Sequence, residues 1–100
     1  MILHTVNKAP TSNNTLVSCL KVARPGSAIL LFEDGVYGAL ETEENRALFD
    51  DFFNSNKLYV INSDLSARGV LDKIMPEFKA ITYPDFVELS VEYSKVQSWA

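Results

Sequence analysis

The chain has 100 residues, 47% of them hydrophobic, which suits one globular domain spanning 1–100. Its net charge of −4 and nine scattered basic residues argue against direct binding of nucleic acid, because a phosphate-binding surface needs clustered Lys and Arg. Cys19 is the only cysteine, which excludes an intramolecular disulfide and a cysteine-based zinc cluster. His4 is the only histidine, so a Cys/His metal site would need ligands from another chain. We expect neither a metal nor a cofactor.

The opening segment Met1–Val6 predicts a cytoplasmic location. Its apolar run is too short for a signal peptide, and no basic segment precedes it. Nowhere does the chain approach the roughly twenty apolar residues of a membrane span. We therefore expect no membrane association and a reduced Cys19.

The first third of the chain predicts a strand, a helix and a second strand. Ile2–Val6 is a continuous apolar run, as in strands covered on both faces. A helical pattern follows at Asn13–Arg24, preceded by residues suited to capping and stopped by Pro25–Gly26. Ala28–Phe32 is a second continuous apolar run and predicts the second buried strand.

The middle of the chain predicts a helix and a third strand. Thr42 is a suitable N-cap, because Glu43–Glu44 then occupies the first turn, where the helix dipole favours negative charge. A broad apolar stripe follows, and Asn54–Asn56 ends the helix. Leu58–Ile61 predicts the third strand.

The last part of the chain predicts two helices around a weaker strand. Ser63–Arg68 is a short helical pattern ended by Gly69, a residue suited to a left-handed C-terminal cap. Lys79–Tyr83 predicts the fourth strand, and Pro84 begins the last helix. The tail Ser94–Ala100 has no clear period and predicts no element.

This alternation of strands and helices predicts an α/β fold. We expect a single three-layer domain with a mostly parallel open sheet and helices on both faces, most like the flavodoxin-type sheets. Ligands and chemistry collect beyond the carboxyl ends of the strands in such folds. Those ends are Asn7–Pro10, Glu33–Gly35, Asn62–Asp64 and Tyr83–Asp85.

Cys19 is the only residue able to carry sulfur as a thiolate or a persulfide. It lies on one apolar helix face, with i, i+3, i+4 and i+7 spacing: Leu16, Cys19, Leu20 and Ala23. A free cysteine on such a face usually behaves as a small buried hydrophobe. A reactive thiolate would instead need access and nearby positive charge, and the nearest cations in sequence are Lys21 and Arg24. Both interpretations stay open.

Asp34 is the most suggestive carboxylate. At the end of a strand it could accept a phosphoryl group or hold Mg²⁺. The alternative is a turn in which Asp34 caps the backbone and Gly35 takes a positive φ. No second acidic cluster and no suitably placed Lys complete a phosphoacceptor site, so the turn is favoured.

Three other residues have two interpretations each. His4 lies inside a predicted buried strand, where a core or edge histidine with its hydrogen bonds satisfied is commoner than a general base. Arg68 either caps a helix end or forms an ion pair with a partner subunit. Trp99, in the tail, either docks on its own domain or is buried at an interface.

Strings spread over nearly the whole chain resemble the DsrH/TusB family. They occur in the same order and with similar spacing: Ile2–Lys8, Leu30–Tyr37, Asp64–Gly69, Tyr83–Val87 and Val96–Trp99. The resemblance implies the small subunit of a heterohexameric sulfur-relay (sulfurtransferase) complex, a dimer of heterotrimers with two paralogous subunits of the DsrE/DsrF or TusD/TusC kind. Such complexes pass persulfide sulfur to a small carrier of the DsrC or TusE kind.

The resemblance also concerns Cys19 and the end of the third strand. Cys19 matches the cysteine typical of DsrH, which favours the DsrH branch and sulfur oxidation over tRNA wobble-uridine 2-thiolation. The catalytic paralogue carries its cysteine where the chain leaves the third strand, and here Ile61–Asp64 contains none. The resemblance thus implies a main reactive cysteine on a partner, with Cys19 as a secondary persulfide carrier or, in the second hypothesis, a core residue of a non-catalytic subunit.

Overall fold

The computed structural model describes all residues, 1–100, and contains one five-stranded parallel sheet of order β4-β3-β2-β1-β5. The strands are β1 (Ile2–Val6), β2 (Ala28–Leu31), β3 (Lys57–Ile61), β4 (Phe78–Ile81) and β5 (Lys95–Trp99). The helices are α1 (Thr15–Val22), α2 (Glu43–Phe49), α3 (Asn62–Ala67) and α4 (Tyr83–Glu92). A 3-10 helix, Glu33–Ala39, follows β2. None of the helices is both long and apolar enough to cross a membrane.

The strand order explains the three layers. Strands β1 to β4 follow one another across the sheet, and right-handed crossovers then place the intervening helices on one face. The chain returns from β4 to the far side of β1, so α4 covers the opposite face. The first face buries a cluster of 13 residues and the second a cluster of 5. The predicted α/β fold with helices on both faces is confirmed.

Alternation along β1 assigns its side chains to these two clusters. Val6 belongs to the larger cluster, on the α1 side. Leu3 belongs to the smaller cluster, on the α4 side. His4 lies two residues before Val6 in the same strand, so its side chain points to the same face, the α1 side of the sheet.

Strand β5 is the element that the sequence pattern does not predict. Its first four residues are exposed and its last is half-buried, so no apolar run marks it. It forms an edge of the sheet and pairs only with β1, in the register Ile2 with Lys95 through Val6 with Trp99. The edge strand next to β1 is thus the fifth in the chain, whereas the edge strand next to β1 in flavodoxin-type sheets is the second.

The predicted helix boundaries hold where a specific capping interaction fixes them. The Thr42 hydroxyl accepts a hydrogen bond from the amide of Asn45 and begins α2. Gly69 takes φ +67° after α3, as a left-handed cap requires. Pro84 lies in the first turn of α4, next to the N-cap Thr82. Helix α2 ends earlier than predicted, at Phe49, because the segment that follows it forms turns.

Candidate functional site

Asp64 is the centre of a polar network at the carboxyl ends of the strands. One of its oxygens, Oδ2, accepts hydrogen bonds from the Tyr83 hydroxyl at 2.6 Å and from the Glu33 amide at 2.7 Å. These residues follow β3, β4 and β2, so a single carboxylate ties three neighbouring strand ends together. The Asp64 side chain is only 17% exposed, which shields these bonds from water.

Arg68 joins the network from the end of α3. Its guanidinium donates to Asp34 Oδ1 from Nε at 3.1 Å and from Nη2 at 2.8 Å. It also donates from Nη1 to the main-chain oxygen of Asp64 at 3.1 Å. Arg68 therefore caps its helix, as one sequence interpretation proposed, and in addition pairs with a carboxylate of its own chain.

The backbone around the second strand end is tightly constrained. Glu33 takes φ +49°, a left-handed conformation that costs a non-glycine residue about 1–2 kcal/mol. The expected positive φ at Gly35 is wrong. Gly35 is required for another reason: a Cβ there would lie 2.2 Å from the main-chain oxygen of Val6. The segment after β2 thus packs directly on the end of β1.

Asn7 closes the network beside β1. Its Nδ2 donates to Glu33 Oε1 at 3.2 Å, while its Oδ1 is buried without a partner. An unpartnered buried acceptor of this kind is uncommon in proteins. The bond reaches from the first strand end to the second, so all four of the strand ends named from the sequence contribute to one assembly.

The chemistry of the network is that of hydrogen bonding rather than of nucleophilic or general base catalysis. Burial, followed by the bond to Asp64, raises the pKa of Tyr83 to about 12, so its hydroxyl stays protonated and donates at neutral pH. Asp34 is engaged by Arg68, and the structure contains no group of three or more His, Cys, Asp or Glu arranged to hold a metal ion. This arrangement does not favour the phosphoacceptor interpretation of Asp34.

A shallow pocket lies where the chain leaves β3. It is lined by amide and hydroxyl side chains and one proline, namely Asn62, Ser63, Ser66, Thr82, Tyr83 and Pro84. The sequence places no cysteine here. The position that the resemblance assigns to the reactive sulfur of a paralogue is therefore polar and lacks sulfur in this chain.

Cys19 lies away from this network, in the interior. It has no exposed surface and belongs to the larger core cluster with Leu16 and Val6. Burial raises the pKa of the Cys19 thiol to about 12, so almost no thiolate forms at neutral pH. The two nearest cations in sequence, Lys21 and Arg24, are both exposed. The apolar helix face expected from the spacing is confirmed.

His4 and Trp99 form a second polar contact within the interior. The indole Nε1 of Trp99 donates to His4 Nδ1 at 3.1 Å. His4 is 3% exposed, and burial lowers its pKa. Trp99 is half-buried and packs against the larger core cluster. The sequence interpretation of a satisfied histidine is confirmed, and Trp99 docks on its own domain. Interface roles for Trp99 and Arg68, like a carrier role for Cys19, stay predictions.

The chain matches the family model described as DsrH like protein over residues 8–96. Three relatives named Protein TusB are each 34% identical over 98 residues, covering 98% of this chain and 100% of their own length. They come from Escherichia coli O81 (strain ED1a), Shigella dysenteriae serotype 1 (strain Sd197) and Shigella flexneri. This chain belongs to the DsrH/TusB family. The membership supports the sulfur-relay subunit that the resemblance implied, in tRNA thiolation, the branch that the resemblance did not favour.

Solved structures support the fold of this family member. The crystal structure of the YchN protein from Escherichia coli superposes with a TM-score of 0.86 at 15% identity, covering 98% of this chain and 97% of that one. The solution NMR structure of protein Tm0979 from Thermotoga maritima gives 0.64 at 26% identity, covering 92% and 93%. At 15% identity, the likeness to YchN shows the fold alone.

The comparisons do not confirm the preference for the DsrH branch. That preference rests on Cys19 alone, whereas the curated relatives reported above are TusB proteins. A buried thiol at position 19 is explained by packing without any role in sulfur transfer. Its presence therefore does not decide between the two branches.

Proposed function

We propose that this chain is the TusB-type subunit of a cytoplasmic complex that relays sulfur for 2-thiolation of the wobble uridine in tRNA. The family match along almost the entire chain carries this proposal. Its partners are two paralogous subunits of the TusC and TusD kind, and a carrier of the TusE kind takes the sulfur from the assembled complex. The chain itself does not contact the tRNA, in keeping with its net charge of −4.

The chemistry of the relay assigns the reactive sulfur to a partner. A thiolate of the complex attacks the outer sulfur of a donor persulfide, the sulfur–sulfur bond of the donor breaks, and the donor leaves as a thiolate. The attacking group must therefore be both ionised and accessible. Cys19 is fully buried with a raised pKa, and the end of β3 has no cysteine.

These observations favour the second of the two sequence hypotheses, in which Cys19 is a core residue of a non-catalytic subunit. The polar network gives that subunit a defined role. It fixes four strand ends at the edge where the paralogue carries its sulfur, and so presents a rigid, sulfur-free surface there. The first hypothesis requires Cys19 to leave the core before it accepts sulfur.

Co-expression with the two paralogous relay subunits tests the assembly. We expect the three chains to purify together and to elute from a sizing column as one species larger than a heterotrimer. The chain eluting alone, with the two partners associated without it, would contradict the proposal. A network variant, Arg68→Ala, compared with an exposed variant on the opposite layer, Val91→Ala, reports whether the strand-end surface is part of the contact.

The thiouridine content of tRNA tests the pathway. Deletion of the gene is expected to remove the 2-thio group from wobble uridine, and both the wild-type chain and Cys19→Ala are expected to restore it. Loss of sulfur oxidation with unchanged tRNA would assign the chain to the DsrH branch instead. Failure of Cys19→Ala alone, with normal folding and assembly, would restore the carrier hypothesis.

A further inference from the structure

Strand β5 is held in the sheet mainly by its backbone pairing with β1, because few of its side chains are buried. It pairs with β1 on one side only, and four of its five side chains are exposed. At its beginning, the Met1 amino group donates to Ser94 Oγ at 3.0 Å, and Ser94 Oγ donates to the Met1 main-chain oxygen at 2.9 Å. At its end, Trp99 is the only side chain of the strand that packs against the core. Edge elements with so few buried contacts open before the rest of a protein does.

The hydrogen bond that anchors Trp99 depends on the protonation state of His4. An indole N–H can only donate, so the bond at 3.1 Å requires a free lone pair on His4 Nδ1. Neutral imidazole provides that acceptor when its proton is on Nε2. Imidazolium carries a proton on both nitrogens, so two donors would then face each other in a site that is 3% exposed.

The groups around His4 do not offer a protonated imidazole any compensating charge. On β2 the residue paired with His4 is Ile29, and on β5 it is Gln97. The shallow pocket beside His4 is also lined by Arg24, from the turn after α1, and by Met1. Lys95 lies on the same face of β5 as Gln97. Apart from His4, Arg24 is the only ionisable side chain that lines this pocket, and it is cationic.

Cys19 of α1, in the core cluster on this side of the sheet, stays a neutral thiol because its pKa is raised. No carboxylate lines the pocket beside His4. An imidazolium here would find no carboxylate in this pocket and would face the donor N–H of Trp99.

We propose that the His4–Trp99 pair is a proton-sensitive latch: protonation of His4 releases Trp99 and loosens β5 from β1 while the other four strands stay folded. The sign follows from the lowered pKa of His4. The unfolded chain binds a proton near pH 6.5 and the latched form binds it only at lower pH, so the latch is fully effective above about 6.5 and weakens as the pH falls. Release uncovers the edge of β1 and the side of α1 that lines a groove with Trp99.

The chain provides its own probes for this latch, because Trp99 is the only tryptophan and His4 the only histidine. We expect the fluorescence of Trp99 to shift to longer wavelength, and its quenching by acrylamide to increase several-fold, between about pH 7.5 and about pH 5. The far-UV circular dichroism should keep most of its amplitude. The matched variant is His4→Asn, whose amide oxygen replaces Nδ1 as an acceptor that does not titrate; its Trp99 signal should stay constant over the same range.

A second measurement gives the same test without relying on the stability of that variant. The pKa of His4 is read from its ring proton resonances in the wild type and in Trp99→Phe. Removing the indole donor should raise the His4 pKa by about 0.5–1 unit, since a hydrogen bond to the neutral form is lost while the burial remains. An unchanged His4 pKa in Trp99→Phe would overturn the proposal. So would a Trp99 signal that does not respond when His4 is protonated, a transition that persists in His4→Asn, or loss of the entire circular dichroism signal at the same pH.

Discussion

The surroundings of Cys19 and the polar network at the strand ends have opposite chemical properties. Cys19 has a nucleophilic atom but no exposed surface, and burial raises the pKa of its thiol. The network has an arginine, three carboxylates and a phenol that also lines an open pocket, but it has no nucleophilic sulfur. Persulfide transfer needs a thiolate and a polar, accessible site in one place. This chain separates them, which is why we place the transferred sulfur on a partner.

The largest effect is expected when a charge is placed at the apolar position. Cys19→Asp buries a carboxylate without a partner and should reduce the free energy of unfolding by about 3–5 kcal/mol. Its matched control is Ser18→Asp on the exposed side of the same helix, for which about 0.5 kcal/mol is expected. Urea denaturation measures both. Equal stability of the two variants would mean that position 19 reaches water.

The next largest effect is expected on the alkylation rate of the Cys19 thiol, compared between the native and the unfolded chain. Burial raises the Cys19 pKa from 9.0 to about 12, so at a given pH below 9 the native chain should react with iodoacetamide about 1,000-fold more slowly than the chain in concentrated urea. The same shift stabilises the fold below pH 9.0, and this contribution is lost as the pH rises towards 12. A native rate within tenfold of the unfolded rate would show that Cys19 is accessible.

A backbone change tests the rigidity of the polar region. Gly35→Ala places a Cβ 2.2 Å from the Val6 oxygen, so about 2–3 kcal/mol of stability should be lost as the segment after β2 moves away. Gly69→Ala is the control, because φ is +67° there but no atom lies within 4 Å, and about 1 kcal/mol is expected. Thermal or urea unfolding distinguishes them. A smaller loss at Gly35 than at Gly69 would contradict the close packing.

The smallest effect is expected from a single hydroxyl of the network. Tyr83→Phe removes the bond to Asp64 and should reduce stability by less than about 1 kcal/mol, because Tyr83 is partly exposed. Since the folded-state pKa is raised from 10.0 to about 12, the wild-type contribution is complete below about pH 10 and is lost as the pH rises towards 12. The difference in stability between the two proteins should be larger near pH 8 than near pH 11.5, as measured by urea unfolding. Tyr37→Phe, outside the network, is the control.

The sequence predicts the parts of this molecule that depend on local patterns. The continuous apolar runs locate three strands and a weaker pattern locates the fourth. The helical spacing of apolar residues around Cys19 favours its burial, and Thr42 and Gly69 mark helix ends correctly. The rule that chemistry collects beyond the strand ends also identifies the region of the network. The sequence pattern does not predict strand β5, because this strand pairs through its backbone while its side chains lie at an exposed edge of the sheet.

The partners within the network could not be predicted from local patterns either. Asp64 meets Tyr83 and the Glu33 amide across sequence separations of 19 and 31 residues, and only the strand order brings them together. The bond between Trp99 and His4 spans 95 residues and depends on the unpredicted strand. Positive φ at Glu33 rather than Gly35 follows from the contact with the end of β1, which a turn pattern does not contain.

The central claim is that sulfur passes through the complex without residing on this chain. The direct test is to incubate the assembled complex with a persulfide donor and to measure the intact mass of every subunit. We predict a gain of one sulfur atom on a paralogous partner, none on this chain, and the same result with Cys19→Ala. A gain of one sulfur atom on this chain that disappears in Cys19→Ala would contradict the account.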